Sequence, residues 1–193
     1  MQSTSTHQAQ ERIFTLSNFL SVLRILLVPP FIYFFSNGDK LTAFVLMLVA
    51  ISTDWFDGRV ARWTNSVSEM GKILDPLADK LSAALIGMYF AYLGELPLWF
   101  VVFLFLRDAI IFGGGIYAKR RKHILTTALP AGKWAVGFVA LLYAMIVFPY
   151  PTIDFSLAKT VCIWIATGLL FASFVQYAIR FRDILQGKEV INL

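Results

Sequence analysis

The chain has 193 residues, of which 58% are hydrophobic and only 15% are charged, and its formal net charge is +5. A soluble domain of this size carries about a quarter charged residues, so the composition excludes an ordinary soluble domain and indicates an integral membrane protein. Positive charge in such a protein is interpreted by its position along the chain. We expect the lipid bilayer, and no nucleic acid, among the partners.

Six apolar segments, each close to the roughly 20 residues that cross a bilayer, follow a polar N-terminal segment. The predicted spans are 16–36, 41–62, 73–93, 97–118, 132–150 and 157–180. We therefore predict an all-α integral membrane protein, a bundle of six transmembrane helices. Residues 1–15 form a tail and juxtamembrane segment, residues 16–182 the helical domain, and residues 183–193 a C-terminal tail.

Helix-breaking residues mark the boundaries of these segments. Pro29 and Pro30 predict a kink in the first helix, because proline lacks a backbone N–H and its ring crowds the preceding turn. Three turns are predicted at Asn37-Gly38, between Gly94 and Pro97, and at Tyr150-Pro151.

The basic residues predict the orientation in the membrane. One side of the predicted bundle carries Arg12, Arg59, Arg62, Lys72, Lys119, Arg120, Arg121, Lys122, Lys133, Arg180, Arg182 and Lys188. The loops of the opposite side carry only Lys40 and Lys159. Because Lys and Arg accumulate on the cytoplasmic side, both termini are predicted to be cytoplasmic, in the inner or cell membrane.

Several charged residues fall within the predicted spans or at their edges. They are Arg24, Asp54, Asp57, Asp75, Asp79, Lys80, Arg107 and Asp108. Each would cost at least about 2.5 kcal/mol if it faced lipid at the centre of the bilayer, so we expect them to face one another across a polar cavity. Most flank the second predicted cytoplasmic stretch, which places that cavity and the active site on the cytoplasmic side.

Residues 54–79, which we call the acidic motif, show the clearest spacing in the chain. Asp54, Asp57, Gly58 and Ala61 recur with the period of one helix face, and Gly71, Asp75 and Asp79 step by four along the next helix. The connection is short, so we expect the two helices to form an antiparallel hairpin with these faces in contact. Four carboxylates would then converge near the membrane surface.

Four carboxylates in one cleft repel each other and require cations. Carboxylate oxygens favour hard divalent ions, Mg²⁺ above all with Mn²⁺ also possible, and the absence of a nearby His or Cys argues against zinc. A pair of such ions is suited to displacement at a phosphorus atom. The competing interpretation is purely structural, with interhelical ion pairs from Arg59, Arg62, Lys72 and Lys80, but it does not explain why all four carboxylates lie on converging faces.

Glycines interrupt the carboxylates. Because Gly58 and Gly71 lack side chains, a nucleotide can approach the backbone there. Arg62 follows Gly58 by one helical turn and is positioned to pair with a phosphate.

The full pattern is Asp54-x-x-Asp57-Gly58-x-x-Ala61-Arg62, eight residues, then Gly71-x-x-x-Asp75-x-x-x-Asp79. It resembles the signature of the CDP-alcohol phosphatidyltransferase family at every fixed position, and the resemblance extends over most of the chain. It implies six helices, a CDP-diacylglycerol donor, release of CMP, two metal ions and a homodimer.

The resemblance also assigns roles within the acidic motif. It makes Asp54, Asp57 and Asp75 metal ligands, and Asp79 a further ligand and the general base for the acceptor hydroxyl. The residues that match nucleotide and diphosphate contacts are Gly58, Ala61, Arg62 and Gly71.

The acceptor alcohol is predicted less directly. Arg107 lies within a span, and an intramembrane Arg is by default a functional residue; a purely structural ion pair with Asp108 is the alternative. Lys133 and Arg24 complete the predicted acceptor site. Glycerol 3-phosphate is the first choice. Phosphatidylglycerophosphate synthases usually carry a second Arg two turns after the first, where this chain has Gly115, so a cardiolipin synthase-like transfer to phosphatidylglycerol, or to another alcohol, is the alternative.

Two other functional classes fit an Asp-rich membrane protein. A membrane prenyltransferase brings carboxylates from both halves of its bundle, whereas the second half here has only Asp108, Asp154 and Asp183. A transporter places its ion site near the midplane, usually between repeated halves, and no repeat is visible. Both classes are therefore disfavoured.

Overall fold

The fold is described from a computed structural model. The structure describes residues 16–64, 71–122, 130–150 and 152–186. Side chains are described for these residues except on both sides of the acidic-motif connection and at a few helix ends. The predicted tail at 1–15 lies outside the described residues, as do residues 187–193 of the predicted tail at 183–193; α7 continues to Leu185, into the second of these tails.

The described part of the chain is all-helical, as predicted. Its helices are α1 (Leu16–Leu26), α2 (Val28–Ser36), α3 (Lys40–Thr64), α4 (Gly71–Tyr92), α5 (Leu98–Lys122), α6 (Pro130–Val147) and α7 (Ser156–Leu185). Each predicted span coincides with one helix, except that the first is divided into α1 and α2.

The division at Leu27 follows from the two prolines. Pro29 and Pro30 have no N–H to donate to the carbonyls one turn back, so the helical ladder is interrupted there. Leu27 keeps helical dihedral angles (φ −77°, ψ −16°), and Phe31 N–H donates to the Leu27 carbonyl at 3.1 Å. The chain therefore resumes a helix at once.

Four segments of the described residues are long and apolar enough to cross a membrane. They are Phe19–Ser36, Leu98–Tyr117, Pro130–Val147 and Ser156–Ile184. In α3, the stretch whose side chains are described contains an apolar segment, Lys40–Thr53. Helix α4 carries Lys72, Asp75, Asp79 and Lys80 within its first half.

A core of buried aromatic and aliphatic side chains joins α2 to α7, and its aromatic rings gather at the end of the bundle away from the acidic motif. Phe90 is fully buried, and its ring meets that of Tyr143 at 5.2 Å in a perpendicular arrangement. The Tyr143 hydroxyl donates to the Ala83 carbonyl at 3.0 Å. Gly87 permits this approach, because a Cβ at Gly87 would collide with the Tyr143 hydroxyl.

The same end of the bundle is closed by capped turns. Gly38 (φ +80°) and Gly94 (φ +77°) adopt left-handed conformations that glycine tolerates best. Asp39 caps α3, since its carboxylate accepts from the Thr42 hydroxyl at 2.6 Å and the Thr42 N–H at 3.0 Å. These bonds, the hydroxyl first, lower the pKa of Asp39. Lys159 Nζ pairs with Glu95 Oε2 at 2.6 Å, which ties the α4–α5 turn to α7.

Candidate active site

The two helices of the acidic motif are both packed against α1. Helix α3 contains Asp54, Asp57, Gly58, Ala61 and Arg62, and α4 contains Gly71, Asp75 and Asp79. The side chains of these residues, apart from Asp79, lie outside the described residues, as does the predicted contact between the two motif faces. Helix α1 contacts both α3 and α4, so both motif helices lie against it.

Arg24 of α1 forms an ion pair with Asp79 of α4 through Asp79 Oδ1. The Arg24 side chain is only 8% exposed, whereas that of Asp79 is 42% exposed. Predicted as part of the acceptor site, Arg24 thus directly neighbours the predicted general base. The pair offsets part of the cost of placing an Arg inside a membrane segment.

Asp108 of α5 is shared between two cations. Its Oδ2 accepts from Lys80 Nζ at 2.6 Å, and its Oδ1 accepts from Arg107 NH1 at 2.6 Å. Lys80 directly follows Asp79 on α4, so the Lys80–Asp108 ion pair fixes the predicted base relative to α5. The structural interpretation pairs Lys80 with a motif aspartate; among the residues whose side chains are described, Lys80 pairs with Asp108.

The Arg107 side chain reaches the junction of α5, α6 and α7. A second nitrogen, NH2, donates to the Ser173 hydroxyl, and the guanidinium carbon lies 5.9 Å from the centre of the Tyr177 ring. Gly132 lies against the same group: a Cβ there would be 3.2 Å from Arg107 NH2 and 3.0 Å from Ser173 Oγ. The close approach of α6 to Arg107 therefore depends on a glycine.

Lys80, Asp108 and Arg107, which we call the Arg107 cluster, carry a net positive charge. Lys80 and Arg107 share the single carboxylate of Asp108, which gives the three groups one net positive charge. Arg107 Nε is buried without a hydrogen-bond partner among the described residues. Because a desolvated cation is strongly stabilised by an anion with acceptor oxygens, this cluster is suited to a phosphate or a carboxylate.

The remaining predicted acceptor residue is less enclosed. Lys133 follows Gly132 at the start of α6 and is exposed, so it lies beside the Arg107 cluster without being buried in it. Ser173 and Tyr177 were not predicted. Their only sequence signal is a spacing of one helical turn on α7, which is easily missed in an aromatic-rich apolar helix.

The chain matches the family model described as CDP-alcohol phosphatidyltransferase over residues 14–175. It belongs to the CDP-alcohol phosphatidyltransferase family. The match covers α1 to α6 and most of α7, and it includes both charged clusters described above.

Relatives with two kinds of name resemble this family member. A CDP-diacylglycerol–glycerol-3-phosphate 3-phosphatidyltransferase of Aquifex aeolicus is 31% identical over 167 residues, covering 84% of the chain and 93% of the relative. A Mycobacterium tuberculosis protein that carries the name cardiolipin synthase is 37% identical over 106 residues, 54% of the chain. A cardiolipin synthase (CMP-forming) of Streptomyces coelicolor is 32% identical over 114 residues. The chain spans about half the length of these two cardiolipin synthases, 50% and 52%.

Proposed function

We propose that the chain transfers the phosphatidyl group of CDP-diacylglycerol to an alcohol that carries a phosphate anion, with release of CMP. The observation that carries the acceptor part of this proposal is the Lys80–Asp108–Arg107 cluster, whose net positive charge lies one residue from Asp79 along α4. Family membership and the acidic motif carry the donor part.

The proposed donor site is the acidic motif with two Mg²⁺ ions, for which Mn²⁺ could substitute. Asp54, Asp57, Asp75 and Asp79 would hold them. The donor set is chemically suitable because carboxylate oxygens are the ligands that such ions prefer, and the half-exposed Asp79 engages Arg24 through Oδ1. When bound, the ions supply charge that offsets the diphosphate and the leaving CMP.

Asp79 and Arg24 would act at the acceptor hydroxyl. The hydroxyl oxygen forms a bond to the phosphorus that carries diacylglycerol, the bond from that phosphorus to the CMP oxygen breaks, and the hydroxyl proton passes to the Asp79 carboxylate. A positioned carboxylate of this kind contributes about 10²–10⁴ to a rate. Arg24 holds that carboxylate in place through the ion pair.

The remaining motif residues would contact the nucleotide and diphosphate. Gly58 and Gly71 allow a close approach to the backbone, Ala61 lies on the same face as Gly58, and Arg62 would pair with a phosphate.

Two acceptors satisfy the requirement for an anion near Arg107. Glycerol 3-phosphate is the acceptor named for the Aquifex relative, which aligns with most of the chain. Phosphatidylglycerol also bears a phosphate and a free hydroxyl, and Gly115 in place of a second Arg favours it. Lys133, exposed at the start of α6, would meet the polar head of either acceptor.

We further propose six membrane crossings with both termini and the active site in the cytoplasm. Helices α3 and α4 would complete the four apolar spans, with their charged halves facing the site rather than lipid. Most Lys and Arg residues lie at the end that we place in the cytoplasm, which supports this orientation. At the opposite end, the charge of Lys159 is balanced by its ion pair with Glu95. A homodimer stays a family-level prediction.

The test is acceptor-dependent release of CMP from CDP-diacylglycerol and Mg²⁺, with glycerol 3-phosphate, phosphatidylglycerol, inositol phosphate and serine compared. We expect turnover with a phosphate-bearing alcohol and not with serine. Arg107→Ala should raise the acceptor KM and leave the donor KM unchanged. Arg182→Ala is the matched control, because Arg182 is exposed near the end of α7. Turnover with serine alone, or an Arg107→Ala defect confined to the donor, would contradict the proposal.

A further inference from the structure

A cavity of about 210 Å³ lies between α5 and α7. Its walls include Ile111, Gly114 and Gly115 from α5 and Phe174, Tyr177 and Phe181 from α7. Ligand pockets that enclose a whole drug-sized molecule are usually about 300–1,000 Å³, so this one suits a segment of a larger ligand. Most of its wall is aliphatic, aromatic or glycine.

The cavity adjoins the Arg107 cluster through Tyr177. Tyr177, whose ring faces the Arg107 guanidinium, is also part of the cavity wall. Ile111 follows Arg107 by one turn on α5 and lines the same space. A molecule whose anionic group reached Arg107 would therefore have a largely apolar cavity nearby, with Arg180 as the charged residue in its wall.

Glycines on α5 create this space. A Cβ at Gly114 would lie 3.7 Å from the Phe181 ring, which is ordinary contact distance, so any larger side chain there would occupy the cavity. Gly115 lines it as well. The two glycines thus leave an apolar space between α5 and α7.

We infer that this cavity holds the first part of an acyl chain of the acceptor, and that the acceptor is an anionic glycerophospholipid with a free headgroup hydroxyl, such as phosphatidylglycerol. The inference rests on the proposed phosphatidyl transfer and narrows its acceptor class. Charge complementarity sets the occupant: the lipid phosphodiester pairs with Arg107, and the adjoining chain enters the apolar space. Glycerol 3-phosphate would leave the cavity unfilled.

The test compares dioleoyl- and dihexanoyl-phosphatidylglycerol with glycerol 3-phosphate as acceptors for the purified full chain. Gly114→Leu, on α5, and Ala178→Leu, on the α7 wall, both fill the cavity. Gly113→Leu is the matched control, because no atom lies within 4 Å of a Cβ at Gly113. Thermal unfolding in detergent checks that the variants fold.

We expect the wild type to use dioleoyl-phosphatidylglycerol. Either filling variant should lower kcat/KM for that acceptor about tenfold, the effect of roughly two methylene groups no longer buried. The donor KM and the activity of Gly113→Leu should be unchanged, and the filling variants should lose the preference for long over short chains.

Four outcomes are adverse and separable. Use of glycerol 3-phosphate without phosphatidylglycerol overturns the inference and leaves the proposed phosphatidyl transfer intact. A raised donor KM in the filling variants would assign the cavity to the donor and would also overturn the inference. Equal losses of kcat/KM in Gly113→Leu and Gly114→Leu would overturn the inference as well. Absence of CMP release with every acceptor contradicts the proposed function itself.

Discussion

At the scale of single residues, each of two aspartates has a cation partner from another helix. Asp79 pairs with Arg24, and Asp108 links Lys80 to Arg107. The first pair is formally neutral, whereas the second group retains a positive charge. We therefore propose proton transfer for the first pair and binding of an anion for the second.

Replacement of Asp79 by Asn should remove the base and preserve the size of the side chain. We expect Asp79→Asn to lower the rate of the chemical step by about 10² or more, with donor binding retained because three motif aspartates remain. Single-turnover CMP release, measured alongside donor binding, checks this. Asp183→Asn is the control, since Asp183 is also ion-paired, with Arg182, but lies outside the site. Normal chemistry in Asp79→Asn would remove it from the base role, and lost donor binding would make it chiefly a metal ligand.

Replacement of Asp108 by Asn should leave Lys80 and Arg107 without their shared carboxylate. Because the Arg107 side chain is only 7% exposed, we expect destabilisation of about 3 kcal/mol, as when one partner of a buried pair is removed. Lys80→Met should recover part of this loss in the Asp108→Asn background, since one of the two uncompensated cations is gone. Unfolding of the wild type, both single variants and the double variant gives the coupling energy. Additive effects would show that Lys80 and Asp108 are not coupled.

At the scale of helices, the sequence predicted where the apolar helices lie but not which side chains of different helices contact one another. Apolar runs and the prolines at 29 and 30 define where helices begin and break, because these are local properties of the chain. The Arg107 contacts are not local: Ser173 lies 66 residues away on α7, and no spacing rule links them. The acidic motif was recognisable because all of its members fall on two consecutive helices.

Gly87 tests the packing of α4 against α6. We expect Gly87→Ala to cost about 1–3 kcal/mol, as overpacking does, because its Cβ would meet the Tyr143 hydroxyl. Tyr143→Phe should relieve that contact in the double variant, although alone it loses a hydrogen bond worth about 1 kcal/mol. Gly137→Ala is the control, with open space around its Cβ, and should be neutral or stabilising. Thermal unfolding of these variants decides; equal effects of the two glycine substitutions would contradict the packing.

Asp39 gives the α3 cap a pH dependence of known sign. The Thr42 hydroxyl and N–H lower the pKa of Asp39 in the folded protein. The contribution of Asp39 to stability is therefore present above its unfolded-state pKa of about 3.9. It is lost as the pH falls through the lower pKa of the folded state. We expect Asp39→Asn, which can still cap the helix but cannot titrate, to lack this component. Unfolding of both proteins between about pH 6 and pH 3 measures it. Identical pH dependences would contradict the cap.

At the scale of the whole molecule, the two ends of the bundle differ in kind. One end is closed by capped turns, an aromatic core and the Lys159–Glu95 pair. The other end brings charged side chains of α1, α4 and α5 into the membrane segments, beside an apolar cavity. Burial of charge is costly in a membrane, so the charged end is where a polar substrate is expected.

The central claim is phosphatidyl transfer from a CDP-linked lipid at the acidic motif. The most direct measurement is CMP release from CDP-diacylglycerol, with glycerol 3-phosphate or phosphatidylglycerol present, by the wild type and by Asp57→Ala and Asp75→Ala. We predict that the wild type releases CMP only with Mg²⁺ and an acceptor. Each variant should be folded but inactive, because each lacks one carboxylate ligand of the metal ions that neutralise the diphosphate. Near-wild-type CMP release by either variant at saturating Mg²⁺ would contradict the account.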